Sequence, residues 1–248
     1  MKKLITLAFV ALVSCAFAQN KETRKISDFN EISVSQGIKA EIIGSVRNEV
    51  VVDCENQAHL ALLETVVKNG TLFIRYKPNS NIQSKRPSEV KIYASPNVSA
   101  IQVSSAALLN ISAPVKSSNI DARVSSSGTL LFKSLRADKL TLQTSSSSEA
   151  KGEIAVHDLA VNSSSSSTVI LTGSTNTADI NTSSSSTANL KDVKANHAVV
   201  SASSSSTILV QVTGELTGKV SSSATVINTA KAKLIQVKES SSGSVKAM

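Results

Sequence analysis

Residues 159–171 read LAVNSSSSSTVIL, and this stretch decides the fold. Leu159 and Val161 precede the five serines, and Val169 and Leu171 follow them on the same odd-numbered track. Alternation with a period of two residues is typical of a half-buried β-strand. A serine-rich linker would not keep register with its flanks. The stretch therefore predicts extended chain that continues through the serines.

The serine run returns at a nearly constant spacing through the second half of the chain. The central serines of successive runs are 18 to 21 residues apart. Self-similarity at such a period indicates a solenoid, in which each repeat packs only on its neighbours. We therefore predict an all-β parallel β-helix with about 20 residues per turn, or rung, formed by residues 96–248.

The alternation also predicts which serines face the core. The apolar track continues through one serine of each run, and these serines are expected to stack as an inward ladder whose small hydroxyls bond to each other. The inward ladder comprises Ser105, Ser126, Ser146, Ser165, Ser184, Ser204, Ser222 and Ser241. Serines of the opposite parity are expected to form two outward ranks, a candidate binding face: Ser145, Ser147, Ser164, Ser166, Ser183, Ser185, Ser203 and Ser205.

The segment before the repeats has a different pattern. Residues 49–53, 71–76 and 90–93 are predicted strands. Asn69-Gly70 is a strong hairpin signal, and residues 77–87 contain two prolines and read as an exposed loop. We expect residues 19–95 to be strand-rich, and residues 27–95 to cap the solenoid as part of one domain with it, because an exposed apolar end must be covered.

Composition restricts the class of protein. Aromatic residues make up only 3% of the chain, so the core is built from aliphatic side chains. The net charge is +8, and removal of Lys2 and Lys3 with a targeting segment leaves about +6. The lysines are scattered and are not interleaved with aromatics, so the sequence does not predict nucleic-acid binding.

The first residues predict export. Lys2 and Lys3 precede a ten-residue stretch, residues 4–13, that is apolar except for Thr6 and too short to span a bilayer as a helix, and Ala16-Phe17-Ala18 offers a cleavage site. Residues 1–18 are therefore the expected signal peptide. A second interpretation takes residues 12–15 as a lipobox with Cys15 as a lipid anchor, but cleavage after Ala18 is favoured. Both place the protein in the periplasm, on the outer membrane surface or outside the cell.

The sequence offers no catalytic constellation. Cys54 lies in a strand-like run and is expected to be a buried, inert thiol. His157 and His197 stand about two rungs apart, where surface histidines are commoner than a metal pair. Asp158, Asp179 and Asp192 are spread singly, whereas glycosidases need paired carboxylates. We therefore predict no enzymatic activity and no cofactor or metal.

The whole layout resembles the auto-transporter adhesin, head GIN domain family, which is common among secreted Bacteroidetes proteins. The resemblance covers roughly residues 27–245. It is carried by Phe29 with Ile32 and Val34, and by residues 37–42, 69–74 and 90–98, followed by the serine repeats. It implies a right-handed β-helix at the cell envelope or outside the cell.

Two functions are consistent with these expectations. The first is a non-enzymatic adhesin or surface-binding module whose partner is a surface glycan or another cell-surface component. The alternative is a carbohydrate-binding or carbohydrate-active β-helix protein of the lyase or glycosidase type. Unpaired strand edges at the C-terminal end also suggest end-to-end homo-oligomers.

Overall fold

The computed structural model describes residues 20–247, so the expected signal peptide and Cys15 lie outside the described residues. It is nearly all β, and its parallel strands wind into a β-solenoid of about seven turns with rungs of about 20 residues. Among residues 20–247, no helix is long and apolar enough to cross a membrane. The predicted solenoid and its period are confirmed.

The strands before the serine repeats are short. They are β1 (Lys21–Lys25), β2 (Glu31–Val34), β3 (Lys39–Gly44), β4 (Glu49–Asp53), β5 (Leu63–Lys68), β6 (Thr71–Tyr76), β7 (Glu89–Ala94), β8 (Ala100–Val103) and β9 (Leu108–Ile111), with helix α1 (Gln57–Leu62) between β4 and β5. Asn56 caps α1, because its side chain accepts the His59 N–H at 2.8 Å.

The strands of the repeats are long because each runs around most of one rung. They are β10 (Val115–Val124), β11 (Thr129–Thr144), β12 (Glu149–Ser163), β13 (Thr168–Thr182), β14 (Thr187–Ala202) and β15 (Thr207–Val220), followed by the shorter β16 (Thr225–Asn228), β17 (Leu234–Glu239) and β18 (Ser244–Ala247). Each of β11 to β14 pairs in parallel with the rung before it and the rung after it.

The order of the rungs at the N-terminal end differs from the order of the chain. β2 and β3 pair in parallel with β8 and β9 on one side and with β6 and β7 on the other. β5 and β6 form the antiparallel hairpin that Asn69-Gly70 predicts, and both turn residues have positive φ. β4 runs antiparallel to β7, and β1 runs antiparallel to β4. The segment thus adds antiparallel strands beside the first parallel rungs.

The core is a column of aliphatic side chains inside the rungs. Residues that stack in register repeat the same kind of side chain, as in Ile120, Leu140, Leu159, Ala178 and Ala198, all at most 5% exposed. Cys54 is also fully buried. Burial of aliphatic area at about 25 cal/mol per Å² supplies the main stabilising term for such a stack.

Candidate functional site: the serine corner and its groove

Each serine run forms a sharp corner of the solenoid. In the turn formed by residues 164–167, Ser165 and Ser166 have φ of 54° and 60°, and the Ser167 N–H donates to the Ser164 carbonyl at 3.2 Å. Positive φ at both central residues with this hydrogen bond defines a type I′ turn. The same pair of positive φ values recurs at every serine run from residue 105 to residue 242. We call this edge of the solenoid the serine corner.

The turns of the serine corner are bonded to each other along the solenoid axis. The N–H of the second turn residue donates to the carbonyl of the first turn residue on the next rung, as from Ser147 to Ser165 and from Ser166 to Ser184, both at 2.9 Å. The stack begins outside the serine runs, where the Gly37 N–H donates to the Ser105 carbonyl at 2.8 Å. The corner is therefore an ordered backbone ladder.

The predicted inward ladder is wrong in its direction, although its members stack in one column as expected. All eight residues are exposed first-turn residues with φ between 45° and 55°: Ser105, Ser126, Ser146, Ser165, Ser184, Ser204, Ser222 and Ser241. The physical reason is the turn. Ser163 and Ser167 are both buried, so the inward track of odd-numbered residues is the same before and after the corner. The turn nevertheless directs the side chain of Ser165, midway between them, outward.

The buried hydroxyls are those that flank the turns. Thr144, Ser163 and Ser167 are at most 3% exposed, and each of their hydroxyls lies within hydrogen-bond distance of the other two. Thr144 Oγ1 lies 2.9 Å from Ser163 Oγ, which lies 2.9 Å from Ser167 Oγ, and Ser167 Oγ donates to the Ser164 carbonyl at 2.7 Å. A similar pair joins Thr182 to Ser206 at 2.9 Å. These contacts satisfy hydroxyls that would otherwise be costly to bury.

The predicted outward ranks are at the surface but do not form one flat face. Four of the eight are exposed second-turn residues: Ser147, Ser166, Ser185 and Ser205. The other four are half-buried residues immediately before the turns: Ser145, Ser164, Ser183 and Ser203. The first-turn residues separate the two ranks, so the second set faces a different surface.

That surface is a shallow polar groove of about 500 Å³ along the side of the serine corner. One wall consists of the half-buried serines before the turns. The other consists of outward side chains two residues earlier, which pair rung to rung in the order Arg123, Gln143, Asn162, Asn181 and Ser201. Rungs of a sheet are about 4.8 Å apart, so these five positions span about 19 Å. We call this surface the amide groove.

The amide groove has free hydrogen-bonding groups at its centre. Within residues 20–247, the side-chain amides of Gln143 and Asn162 make no hydrogen bond to protein. Asn181 donates to Asp179 at 2.9 Å, and Arg123 pairs with Asp121 at 3.2 Å. The groove thus offers donors and acceptors at regular intervals, and all of them except Arg123 are neutral. Sequence reasoning missed this rank, although a polar residue two positions before the serine that precedes each turn repeats with the rung period.

The histidines and acidic residues do not converge. His157 Nδ1 lies 3.0 Å from Asp158, which accepts a hydrogen bond from Thr177, and His197 Nδ1 lies 3.9 Å from Glu215. The Thr177 hydroxyl and His157 lower the pKa of Asp158. No three His, Cys, Asp or Glu side chains between residues 20 and 247 are grouped to hold a metal ion.

A solenoid with a periodic polar surface and an aliphatic core places the chain among the repeat proteins, in which each rung contacts only its neighbours. The chain belongs to the family described as putative auto-transporter adhesin, head GIN domain, whose model matches residues 28–232. The resemblance drawn from the sequence is confirmed. No curated protein matches the chain.

Solved structures from Parabacteroides share the fold. A putative lipid binding protein from Parabacteroides distasonis superposes with a TM-score of 0.80 at 22% identity, covering 93% of this chain and 98% of its own. A putative adhesin from Parabacteroides merdae gives 0.83 at 16% identity, with 92% and 95% covered. A putative adhesin from Parabacteroides distasonis gives 0.82 at 16% identity, with 92% and 96% covered.

Proposed function

We propose that this protein is an exported, non-enzymatic surface-binding protein whose amide groove binds an extended, hydroxyl-rich polymer such as a surface polysaccharide. The observation that carries the proposal is the register of the groove, which repeats a polar side chain and a serine hydroxyl on five successive rungs. A polymer with a regular repeat meets the same pair of groups at every rung.

The chemistry of the groove favours sugars over acyl chains. Its lining is dominated by serine, threonine, asparagine and glutamine, which donate and accept hydrogen bonds. One structural neighbour is described as a putative lipid binding protein. In this chain the space inside the rungs is filled by aliphatic side chains that are almost fully buried, so an acyl chain would have to displace the core.

Export of the protein is part of the proposal. The family is described as one of putative auto-transporter adhesins, and this description supports a location outside the cell. The expected signal peptide at residues 1–18 agrees with that location. Cleavage after Ala18 would release a soluble protein, whereas lipidation of Cys15 would anchor the solenoid to a membrane.

The test is retention on polysaccharides. The purified protein would be screened on a glycan array and by co-sedimentation with insoluble polysaccharides. The groove variant replaces Gln143, Asn162 and Asn181 by alanine, and its affinity is expected to fall at least about tenfold, since it removes several hydrogen bonds worth about 1 kcal/mol each. The control variant replaces Asn176 and Asn189, two amide residues outside the groove, by alanine. Its affinity for the polysaccharide should equal that of the unaltered protein.

Two results would contradict the proposal. One is equal retention of the groove variant and the unaltered protein. The other is no retention on any polysaccharide or bacterial surface. Incubation with the bound glycan should leave its length unchanged, and release of new chain ends would instead establish a carbohydrate-active enzyme.

A further inference from the structure

A second polar cavity lies at the N-terminal end of the serine corner. The segment 77–88 between β6 and β7 lies beside the turn that joins β2 and β3, and the two border an open pocket of about 560 Å³. Cavities of roughly 300–1,000 Å³ are typical of small-ligand sites. We call it the loop pocket.

The loop that borders this pocket is held in place by its own contacts. Arg86 donates to Asp53 Oδ1 at 2.6 Å and to the Cys54 carbonyl. Glu55 accepts from the Ser84 hydroxyl at 2.6 Å and from the Lys85 N–H at 2.9 Å. Because these bonds tie three successive loop residues to the end of β4, the pocket is formed without a ligand.

The floor of the pocket consists of three polar residues, of which Tyr76 and Ser88 are buried and Gln36 is exposed. Tyr76 and Ser88 are 4% and 2% exposed, and their hydroxyls are hydrogen-bonded at 2.6 Å. Gln36 Oε1 accepts the Tyr76 N–H at 2.7 Å, which fixes the side chain and leaves its Nε2 group available as a donor. Burial raises the pKa of the Tyr76 phenol, so this group stays protonated.

The charge of the lining is positive. It includes Lys85 and Arg86 but no carboxylate. Arg86 is paired with Asp53, whereas the Lys85 ammonium forms no ion pair within 4.0 Å in residues 20–247, and its nearby carboxylate, Glu55, is held by the Ser84 hydroxyl and the Lys85 N–H. One unpaired cation beside several hydroxyl and amide groups matches a ligand that carries a single negative charge and many hydroxyls.

We propose that the loop pocket binds a carboxylate-bearing sugar, with Lys85 contacting the carboxylate and Gln36, Tyr76 and Ser88 contacting the hydroxyls. The sugar can be a free monosaccharide or the terminal residue of a polymer; only the latter rests on the function proposed above. The polymer source is favoured by position, because Gln36 and Gly37 form the first turn of the serine corner. The rung of Arg123 lies two rungs further along, about 10 Å away.

The experiment titrates the purified protein with D-glucuronate, D-glucose and inorganic phosphate, followed by calorimetry and NMR. We expect a Kd for D-glucuronate of about 1 mM, a usual value for a ligand of this size. Lys85→Gln should weaken this binding about tenfold or more, because it removes a charge-assisted hydrogen bond. Lys77→Gln, at the start of the same loop and outside the pocket, should leave the Kd unchanged.

The contradicting outcomes are equally specific. D-glucose or phosphate binding as tightly as D-glucuronate would overturn the proposal, as would a Kd unaffected by Lys85→Gln. Retention of an oligosaccharide that ends in a uronate, compared with binding of free D-glucuronate, tests the groove proposal and the pocket proposal separately. If D-glucuronate binds but no polymer is retained, the groove proposal fails alone; if polymer is retained equally by Lys85→Gln and D-glucuronate does not bind, the pocket proposal fails alone.

Discussion

Single hydroxyl groups inside the solenoid matter more than their size suggests. Thr144, Ser163 and Ser167 pass hydrogen bonds along a chain that ends on the Ser164 carbonyl. On the preceding rung, Val124 occupies the position that pairs with Thr144 and is also buried, so this inward position can hold an apolar side chain. Thr144 Oγ1 also lies 3.1 Å from Ser167 Oγ, so each of the three hydroxyls contacts the other two. The hydroxyls are therefore interdependent, and removal of one takes a hydrogen-bond partner from each of the other two.

We predict a non-additive effect of substitutions in this chain. Ser167→Ala should lower the free energy of unfolding by about 1–2 kcal/mol, since it takes one hydrogen-bond partner from each of two buried hydroxyls and removes the donor to the Ser164 carbonyl. Joint replacement of Thr144 by Val and of Ser163 and Ser167 by Ala should cost no more than the single change, because no hydroxyl is left unpaired. Urea titrations measure both values. Additive losses from the three positions would contradict the interdependence.

Cys54 gives a prediction about pH. Burial raises the pKa of its thiol above the usual range. The Cys54 thiol of the unfolded chain ionises at about pH 8.5, whereas the folded protein keeps it neutral to a higher pH. The contribution of the thiol to the free energy of unfolding is therefore complete below about pH 8.5 and declines as the pH rises above that value toward the pKa of the folded state. The free energy of unfolding should therefore fall between about pH 8 and 10, and less steeply in Cys54→Ala. An alkylating reagent should label Cys54 only on unfolding, and rapid labelling of the folded protein would contradict its burial.

At the scale of the element, the type I′ turn explains both the serines and the error about them. The first position of each corner must adopt positive φ, which is unfavourable for residues other than glycine, asparagine and aspartate. Serine tolerates it better than a β-branched residue and leaves the corner polar. The Asn69-Gly70 turn shows the sequence more often used for this conformation.

The corner at residues 165 and 166 provides the test. Replacement by Asn-Gly should raise stability by about 1 kcal/mol, which corresponds to about 2–4 °C in Tm for a chain of this length. Ser165→Val should lower stability by a similar amount or more. Ser164→Val is the control, because Ser164 does not have positive φ. Thermal unfolding measures all three, and an unchanged Tm in both Asn-Gly and Ser165→Val would refute the strain argument.

Sequence patterns predicted the elements better than the direction of side chains at the corner. The period of about 20 residues and the alternation around Val161 and Val169 were sufficient for the solenoid, its stacking and its core. They did not predict the direction of the Ser165 side chain. The turn keeps the residues on both sides of it on the same inward track, but it points the side chain of the residue between them outward. The loop pocket was unpredictable for a different reason, since Gln36 and Lys85 are distant in sequence and border one pocket only in the folded chain.

At the scale of the molecule, stability should vary along the solenoid axis. Strands β11 to β14 are hydrogen-bonded to a rung on each side, whereas the described residues pair β17 and β18 on one side only. The last rung also buries little, and Leu234 and Ile235 are 43% and 39% exposed. In a repeat protein each rung is stabilised by its own contacts and by its neighbours, so a rung with one neighbour opens first.

Hydrogen exchange should therefore show a gradient. Peptides from residues 234–247 are expected to exchange orders of magnitude faster than peptides from residues 149–202, whose opening requires unfolding of several rungs. The exchange rates are measured by mass spectrometry at two protein concentrations. Independence from concentration means that the terminal rung opens within one molecule. If the protection of β17 instead rises with protein concentration, the terminal rung does not open within one molecule. The strand edges of two molecules then pair, as expected for end-to-end dimers. Uniform protection along the chain at both concentrations would show that the rungs unfold as one unit.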